Sequence, residues 1–425
     1  MEHTTRITAT ILTIGDELLI GQVVDTNSAW IGKALGTLGI QVLRRTAIGD
    51  DATAIKEALD AELPRVHLLI ITGGLGPTAD DITKPTLAAY FGGGMRTDAR
   101  VLEHVETYFR KRGKPTLQRN LQQADVPEAC MVLFNEKGTA PGMWFEKSDT
   151  IIVSLPGVPH EMVHLMDAEV LPRLRKRFVL QPVQHRNILI GGEGESFIAE
   201  QIKDLEESLP EYIRLAYLPS LGSLRLRLTC QDGNRTEIGA EMDDWCSRIS
   251  DRLQEYVVAQ SDLPMQEILS QILDENKWKL ALAESCTGGC IAHLQTQIAG
   301  ASNYLQGSIV CYQPDVKVNL VQVSQQTIDT KGIVSEAVAL EMAHGAATVL
   351  EGDIGFGITG WLGTEGDDKA PGGTVCMAVT LGDQSERKTF HFANDRIRNK
   401  ELAVQNAFLF IIRFLKKQLA EATND

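Results

Sequence analysis

The sequence lacks clustered cations, paired cysteines and long apolar runs, and each absence removes a class of protein. Lys and Arg together number 41 against 56 Asp and Glu, for a formal charge of −15. General binding to nucleic acid or to an anionic membrane is therefore not expected, because neutralising phosphates requires clustered Lys and Arg. The seven cysteines, at 130, 230, 246, 286, 290, 311 and 376, are odd in number, scattered and never spaced C-x-x-C. That excludes a disulfide framework and suits reduced thiols, most of them small core residues, in a cytoplasmic protein. No run approaches the ~18 apolar residues of a membrane span. Met1-Glu2-His3-Thr4-Thr5-Arg6 shows no basic region leading into an apolar one, so neither secretion nor membrane insertion is expected.

What is present is a globular composition, 43% hydrophobic and 23% charged over 425 residues, too long for one core and suited to two or three domains. In the first third, residues 8–14 form a β-rich run, 27–38 an amphipathic helix closed by Gly39, and 41–46 a strand. A helix over 52–63 opened by Asp51 and a buried strand over 66–71 follow. This alternation implies a parallel sheet covered on both faces, with ligands at the carboxyl ends of its strands. The loops there are Gly15-Asp16-Glu17-Leu18-Leu19, with Asp25 beyond it, and Thr72-Gly73-Gly74-Leu75-Gly76, leading to Asp80-Asp81. Glycines let backbone N–H groups approach an anion, whereas carboxylates repel one. A divalent cation bridging the two is the economical reading, and helix capping by Asp80 or Asp81 is the plain alternative.

Residues 173–258 change character. A basic opening precedes a strand near 187–190, a helix over 195–207, strands at 213–217 and 223–230, and a helix over 236–256. Leu224, Leu226 and Leu228 alternate with Arg225 and Arg227, as in a sheet wet on one face. His160-Glu161-Met162-Val163-His164 fits the H-E-x-x-H zinc spacing, but it opens a helix behind Pro159 and no third ligand is marked beyond His185 or Glu193. A zinc peptidase is not the reading adopted.

From residue 265 the order is helix, strand 278–282, the turn Ala283-Glu284-Ser285-Cys286-Thr287-Gly288-Gly289, helix 291–298 and strand 307–312. A helix over 335–350, strands at 354–359, 374–380 and 387–392, and an amphipathic helix over 400–418 complete a second α/β pattern. The turn gathers a hydroxyl, a thiol and the N–H groups of Thr287, Gly288 and Gly289, a setting for nucleophilic attack and an oxyanion. Tyr312 and Lys317, at the end of an adjacent strand, offer a base if burial pulls the lysine down from ~10.4. Cys286 is a rival nucleophile, and only one of the two neighbours is expected to face a pocket. The plain alternative is that Ser285 caps the helix and Lys317 lies on the surface.

The T-G-G-x-G loop ending in Asp resembles the MoaB/MogA-type molybdopterin-binding domain. With Gly15-Asp16-Glu17-Leu18-Leu19, Gly138-Thr139-Ala140-Pro141-Gly142 and Leu155-Pro156-Gly157-Val158-Pro159, the match narrows to the CinA (competence/damage-inducible protein A) family. The C-terminal turn, Tyr312 with Lys317, Gly332-Ile333-Val334-Ser335 and Gly357-Ile358-Thr359-Gly360 resemble that family's C-terminal domain. The resemblance implies divalent-metal-dependent hydrolysis of ADP-ribose, with magnesium or cobalt. Asp16, Glu17, Asp25 and Asp81 would serve as metal or water-positioning groups, and Gly73, Gly74, Gly76 and Thr139 as phosphate contacts. It further implies a KH-like middle domain and a cofactor-free C-terminal deamidase of nicotinamide mononucleotide. There Ser285 would attack, Lys317 act as base with Tyr312 beside it, and Thr287, Gly288 and Gly289 hold the oxyanion. Thr359, Gly360, Arg396 and Arg398 would bind substrate. The chain departs where the family continues I-A-G-P after Gly360; here Trp361-Leu362-Gly363-Thr364-Glu365-Gly366-Asp367-Asp368-Lys369 stands, and its acidic residues are poor company for a phosphate.

The expectation is an α/β protein of two separate three-layer domains with parallel or mixed sheets, residues 1–172 and 261–425, joined by a small α+β, KH-like domain over 173–260. It would be a homodimeric, bifunctional enzyme of pyridine-nucleotide salvage acting on small-molecule nucleotides. The competing expectation is a nucleotide- or pterin-binding protein whose deamidase domain is degenerate and which acts through a partner.

Overall fold

The structure is a computed structural model that describes residues 6–78, 81–180, 183–230 and 238–424. The chain divides into two compact units, one ending at Val183 and the other beginning at Gln184.

In the first unit the β-branched runs build a six-stranded sheet in the spatial order Gln41–Ile48, Thr8–Ile14, Leu68–Thr72, Thr150–Leu155, Gly142–Lys147, Met131–Leu133. The first four strands are parallel and the last two turn antiparallel. Ile11, Ile70 and Val153 pack on one face with Ile31 and Leu35 of the helix Thr26–Thr37. The intervening Leu12, Leu69, Ile71 and Ile152 meet Ile55 and Leu59 of the helix Ala52–Glu62 on the other. Both faces are covered, giving three layers with the loops at the strand ends free to form a site.

The second unit opens with a four-stranded antiparallel sheet in the order Ile213–Ser220, Ser223–Cys230, Gln184–Gly191, Val257–Ala259. Leu224, Leu226 and Leu228 face the core shared with the helix Ile238–Arg252. The single helix expected over 195–207 is two, Glu195–Gln201 and Lys203–Glu207, with the buried Ile202 between them leaving helical geometry at φ −117° and ψ 12°. This is the KH-like order of elements. The junction between its two helices, Gln201-Ile202-Lys203, carries no glycine of the kind that clamps a nucleotide backbone.

A second mixed sheet follows in the order Leu305–Val310, Leu280–Glu284, Ile354–Gly360, Thr374–Leu381, Gln384–His391. Its first three strands are parallel and its last two antiparallel. The helix Glu336–Leu350 lies so close on one face that a Cβ at Gly357 would sit 2.2 Å from Ala339 O, and one at Gly355 2.1 Å from Ala343 O. The helices Met265–Glu275 and Arg396–Asn424 share the apolar cluster of Leu280, Leu282 and Phe356 with the strands. The last helix also reaches the antiparallel sheet. Arg413 Nη2 donates to Gly191 O at 2.9 Å and Glu255 O at 3.2 Å, and Lys416 Nζ to Val258 O at 2.5 Å. Among the described residues no helix is long and apolar enough to cross a membrane.

The close approach of helix to strand makes Gly357 sensitive to a single methyl group. Gly357→Ala is expected to destabilise the protein by about 1–3 kcal/mol, as overpacking does. Gly363→Ala, where an added Cβ would meet nothing within 4 Å, should change stability by less than ~0.5 kcal/mol. Urea denaturation of both variants checks the contrast.

Candidate functional site

The C-terminal site begins with a buried strand that ends in a carboxylate. Glu284, fully buried, accepts hydrogen bonds from Thr287 Oγ1 at 2.8 Å, Ser308 Oγ at 3.1 Å, Ile291 N at 3.1 Å and Ala292 N at 3.0 Å. The two backbone donors belong to the first turn of the helix Cys290–Thr296, where N–H groups lack intrahelical partners. Capping therefore falls to Glu284, and Ser285 is released from the structural role weighed for it. Between them Gly288 and Gly289 take left-handed φ values of 62° and 88°, which L-residues with a Cβ seldom adopt.

Ser285 meets Lys317 from the first turn of the helix Pro314–Val321, whose sequence neighbour strand pairs parallel with Leu280–Glu284. Lys317 is 1% exposed, and its Nζ lies 2.8 Å from Ser285 Oγ, 2.6 Å from Cys311 O and 3.5 Å from Tyr312 O. Burial lowers its pKa below the ordinary 10.5, because the charged form loses its hydration. When the amine is neutral, the two carbonyls take its N–H groups and its lone pair faces the Ser285 hydroxyl. The surface position considered for Lys317 is thus corrected.

A cavity of about 290 Å³ opens over this pair, lined by Ser285, Cys286, Tyr312, Lys317, Ile333, Val334, Thr359, Gly360, Trp361 and Arg396, with Gln313 and Pro314. Ser285 and Cys286 both line it, contrary to the expectation that only one would. They differ in chemistry: burial pushes the Cys286 thiol up to about 12, and Lys317 Nζ is bonded to the hydroxyl. Tyr312 is half exposed at the mouth, where its Oη is bonded to Arg396 Nη2 at 3.0 Å, and it turns only its carbonyl toward the lysine. Thr359 is buried, with its hydroxyl donated to Ile333 O at 3.0 Å.

Other expected contacts lie elsewhere. Thr287 is buried and bonded to Glu284, Gly288 N donates to Ser285 O at 3.1 Å, and neither they nor Gly289 line the cavity. Arg398 is exposed outside it, its N–H donated to Asp395. His293 is exposed and bonded to Gln297. Glu365, Asp367 and Asp368 are not among the lining residues either.

In the first unit a cavity of about 380 Å³ sits at the strand ends, lined by Gly15, Glu17, Asp50, Gly73, Gly74, Gly76, Asp81, Gln123, Thr139 and Glu161 among others. Gly73 has φ 115° and approaches Ile14 O so closely that a Cβ would lie 2.1 Å from it, which admits only glycine. Asp81 braces the glycine loop: its carboxylate accepts from Gly76 N at 2.7 Å, Thr78 N at 2.9 Å and the Thr78 hydroxyl. The following helix starts at Thr83 without a side-chain cap, so Asp81 is not a helix cap; Asp80 lies outside the described residues.

Asp16 and Asp25 do not line the cavity. Asp16 exchanges hydrogen bonds with Asp50, and Asp25 caps the helix Thr26–Thr37 by accepting from Ser28 N at 2.9 Å, Ser28 Oγ at 2.5 Å and Thr13 Oγ1 at 3.1 Å. Among the described residues no three His, Cys, Asp or Glu side chains converge to hold a metal. Glu17 and Asp81 remain as oxygen donors in the cavity, joined by Asp50 and Glu161, which the sequence reading did not assign. Glu161, the acid of the H-E-x-x-H run, is bonded to Asn135 Nδ2 at 2.6 Å.

A molybdopterin-binding-type first domain, a KH-like sheet and a last domain built on a buried serine–lysine pair define a multidomain α/β protein. Residues 10–176 match the probable molybdopterin binding domain, 185–259 the damage-inducible protein CinA KH domain and 262–415 the CinA C-terminal domain. A CinA-like protein of Flavobacterium psychrophilum is 40% identical over 419 residues, covering 97% of this chain and 100% of that protein. One of Cytophaga hutchinsonii is 38% identical, covering 98% and 99%. The crystal structure of CinA from Thermoplasma acidophilum, 35% identical, covers 40% of this chain and 96% of its own, with a TM-score of 0.36. The chain belongs to the CinA family.

The depressed Lys317 gives a stability test. Between its folded pKa and 10.5 the unfolded chain holds the proton more readily, so stability rises with pH across that window and the contribution is missing below it. Lys317→Met is expected to raise the thermal midpoint at neutral pH and to flatten this rise, measured by thermal unfolding from neutral to alkaline pH.

Proposed function

We propose that the C-terminal domain hydrolyses the carboxamide of nicotinamide mononucleotide to nicotinate mononucleotide and ammonia. The observation that carries this reading is the buried Lys317 Nζ at 2.8 Å from Ser285 Oγ beneath an open cavity. Ser285 Oγ attacks the carboxamide carbon while Lys317 takes the hydroxyl proton, and Lys317 returns that proton to the departing nitrogen as ammonia leaves. The resulting ester on Ser285 is cleaved by water: Lys317 accepts the water's proton as its oxygen attacks and passes it to Ser285 Oγ as the acid departs, which restores the neutral amine and the hydroxyl. Arg396, a fixed cation at the mouth, suits the substrate phosphate.

Ammonia release from nicotinamide mononucleotide by the full chain, without added metal, tests this reading. Ser285→Ala should abolish it and Lys317→Ala reduce it by roughly 10²–10⁴-fold, the usual weight of a general base. Ammonia that persists in Ser285→Ala would reject the assignment.

For the first domain we propose hydrolysis of the pyrophosphate of ADP-ribose to AMP and ribose 5-phosphate with a divalent cation, magnesium or cobalt. Such a cation is usually bound by one or two carboxylates and completed by substrate phosphates, and Glu17 and Asp81 are the carboxylates that would hold it. When bound, it would neutralise phosphate charge. The glycine loop at Gly73, Gly74 and Gly76 presents backbone to the phosphates, and Thr139 lies across the cavity lining. Asp16 and Asp25, which do not line the cavity, are given no metal role. AMP release should depend on the cation and fall by at least about tenfold in Glu17→Gln, whereas Asp25→Ala should lower stability by about 0.5–2 kcal/mol through its lost helix cap and change turnover less. Release that survives both chelator and Glu17→Gln would overturn the proposal and favour a binding role for this domain.

A further inference from the structure

The acid of the H-E-x-x-H run is the part of that pattern the first cavity uses. Glu161 lines it, and His160 and His164 do not. Two contacts place the side chain. Its Oε2 accepts from Asn135 Nδ2 at 2.6 Å, and its carboxylate lies so close to Gly138 that a Cβ there would clash with both oxygens. Asn135 is itself locked. It is 3% exposed, donates to Ala140 O at 2.9 Å as well, and accepts from Lys137 N at 3.0 Å and Gly138 N at 3.1 Å, so every hydrogen bond its amide can form is used. The other oxygen, Glu161 Oε1, takes no hydrogen bond among the described residues and is open to solvent. The segment leading to Glu161 abuts the glycine loop: Gly73 N donates to Leu155 O at 3.1 Å, and a Cβ at Gly157 would lie 3.4 Å from Gly73 Cα.

The other carboxylates of the cavity are held differently. Asp81 has both oxygens engaged, by Gly76 N, Thr78 N and the Thr78 hydroxyl. Asp50 accepts from the backbone of Asp16. Glu17 is exposed, its carboxylate folded onto Gly15. Among the described residues lining the cavity, Glu161 alone joins one oxygen fixed by a buried amide to a second that is open. A general base needs that combination, a set position and an unused lone pair within reach of water.

We propose that Glu161 is the general base of the first domain, taking a proton from the water that attacks the pyrophosphate. The inference rests on the pyrophosphatase reading of that cavity. The water oxygen bonds to one phosphorus while the bridging P–O bond breaks, its electron pair going to the departing phosphate. The proton held by Glu161 then passes to that phosphate, which restores the carboxylate and leaves AMP and ribose 5-phosphate. Asn135 is the positioning residue: through one amide it fixes both the base and the backbone that leads into Thr139.

The test compares the full chain with its Glu161→Gln variant. Glutamine keeps the length of the side chain and an oxygen to accept from Asn135, and removes the proton acceptor. With ADP-ribose and magnesium or cobalt, kcat for AMP release is expected to fall by about 10²–10⁴-fold, with KM and the half-saturating cation concentration unchanged. Calorimetric binding of α,β-methylene ADP-ribose, whose bridging carbon resists cleavage, should be unchanged too. If the glutamine variant does not fold, Glu161→Asp serves: retracting the carboxylate by one methylene should lower kcat by at least about tenfold and leave binding of the analogue intact. Undiminished kcat overturns the proposal and leaves the pyrophosphatase reading standing. A loss restored by more cation, or weaker binding of the analogue, also overturns it, because Glu161 would then hold the cation or the ligand rather than the proton. Absence of AMP from the unaltered chain rejects the pyrophosphatase reading and the proposal with it.

Discussion

The burial of one lysine is the constraint around which the C-terminal domain is arranged. A lysine ammonium with 1% exposure is unfavourable unless it neutralises or finds strong partners. The domain supplies the carbonyls of Cys311 and Tyr312 and the hydroxyl of Ser285. Those carbonyls are available because the chain leaves the strand Leu305–Val310 there and re-enters a helix at Pro314, so they are freed from the sheet ladder. An amine whose charge burial disfavours is thereby held against a hydroxyl at the floor of a cavity, a cost to stability of the kind proteins bear where function needs it.

The same economy governs the turn that carries Ser285. A helix of only seven residues, Cys290–Thr296, cannot stabilise itself, and its first N–H groups would be orphaned so near the core. Glu284 satisfies two of them and binds Thr287 and Ser308 as well. Its carboxylate is therefore a brace joining strand, turn, helix and the adjacent strand. On the far side, Gly355 and Gly357 let the helix Glu336–Leu350 settle onto the strand that provides Thr359 and Gly360. Side chains at either glycine would lift that helix and with it the wall formed by Val334 and Trp361.

Much of this was legible in the sequence because it rests on local patterns. Alternating apolar runs with Gly39 and Asp51 as punctuation located the first sheet and its helices, and the leucines at 224, 226 and 228 identified the buried face of the middle one. Ser285 and Lys317 were readable as a pair because parallel neighbouring strands bring their ends together. What escaped were roles set by which partner a carboxylate takes, whether near or distant in sequence. Glu284 stood inside the quoted turn, yet nothing local says that its carboxylate folds back to cap a helix. Asp25 looked like a metal ligand in a carboxylate-rich loop, although Ser28 three residues on is the ordinary spacing of a helix cap. Asp50 and Glu161 enter the first cavity from separate elements, and only the folded topology brings them to one wall.

The two cavities differ in how complete they are. Around Ser285 the hydroxyl and the Lys317 amine are already bonded to one another, so on the proposed reading a ligand need only be positioned and no reorganisation of charge is required first. The first cavity is rich in acceptors, with Glu17, Asp50, Asp81 and Glu161 on its walls and the acceptor atom of the buried Gln123 unpaired. A phosphate entering it meets favourable backbone from the glycine loop and unfavourable charge from the carboxylates. That conflict is relieved by a cation arriving with the ligand, or by a ligand whose own donors answer the acceptors. The buried lysine of this domain cannot relieve it: Lys84 Nζ is bonded to the carbonyls of Gln122, Gln123 and Asp125 and does not line the cavity, and burial lowers its pKa to about 8. On the proposed reading, affinity at the first cavity depends on what accompanies the nucleotide, while affinity at the second depends on the nucleotide alone.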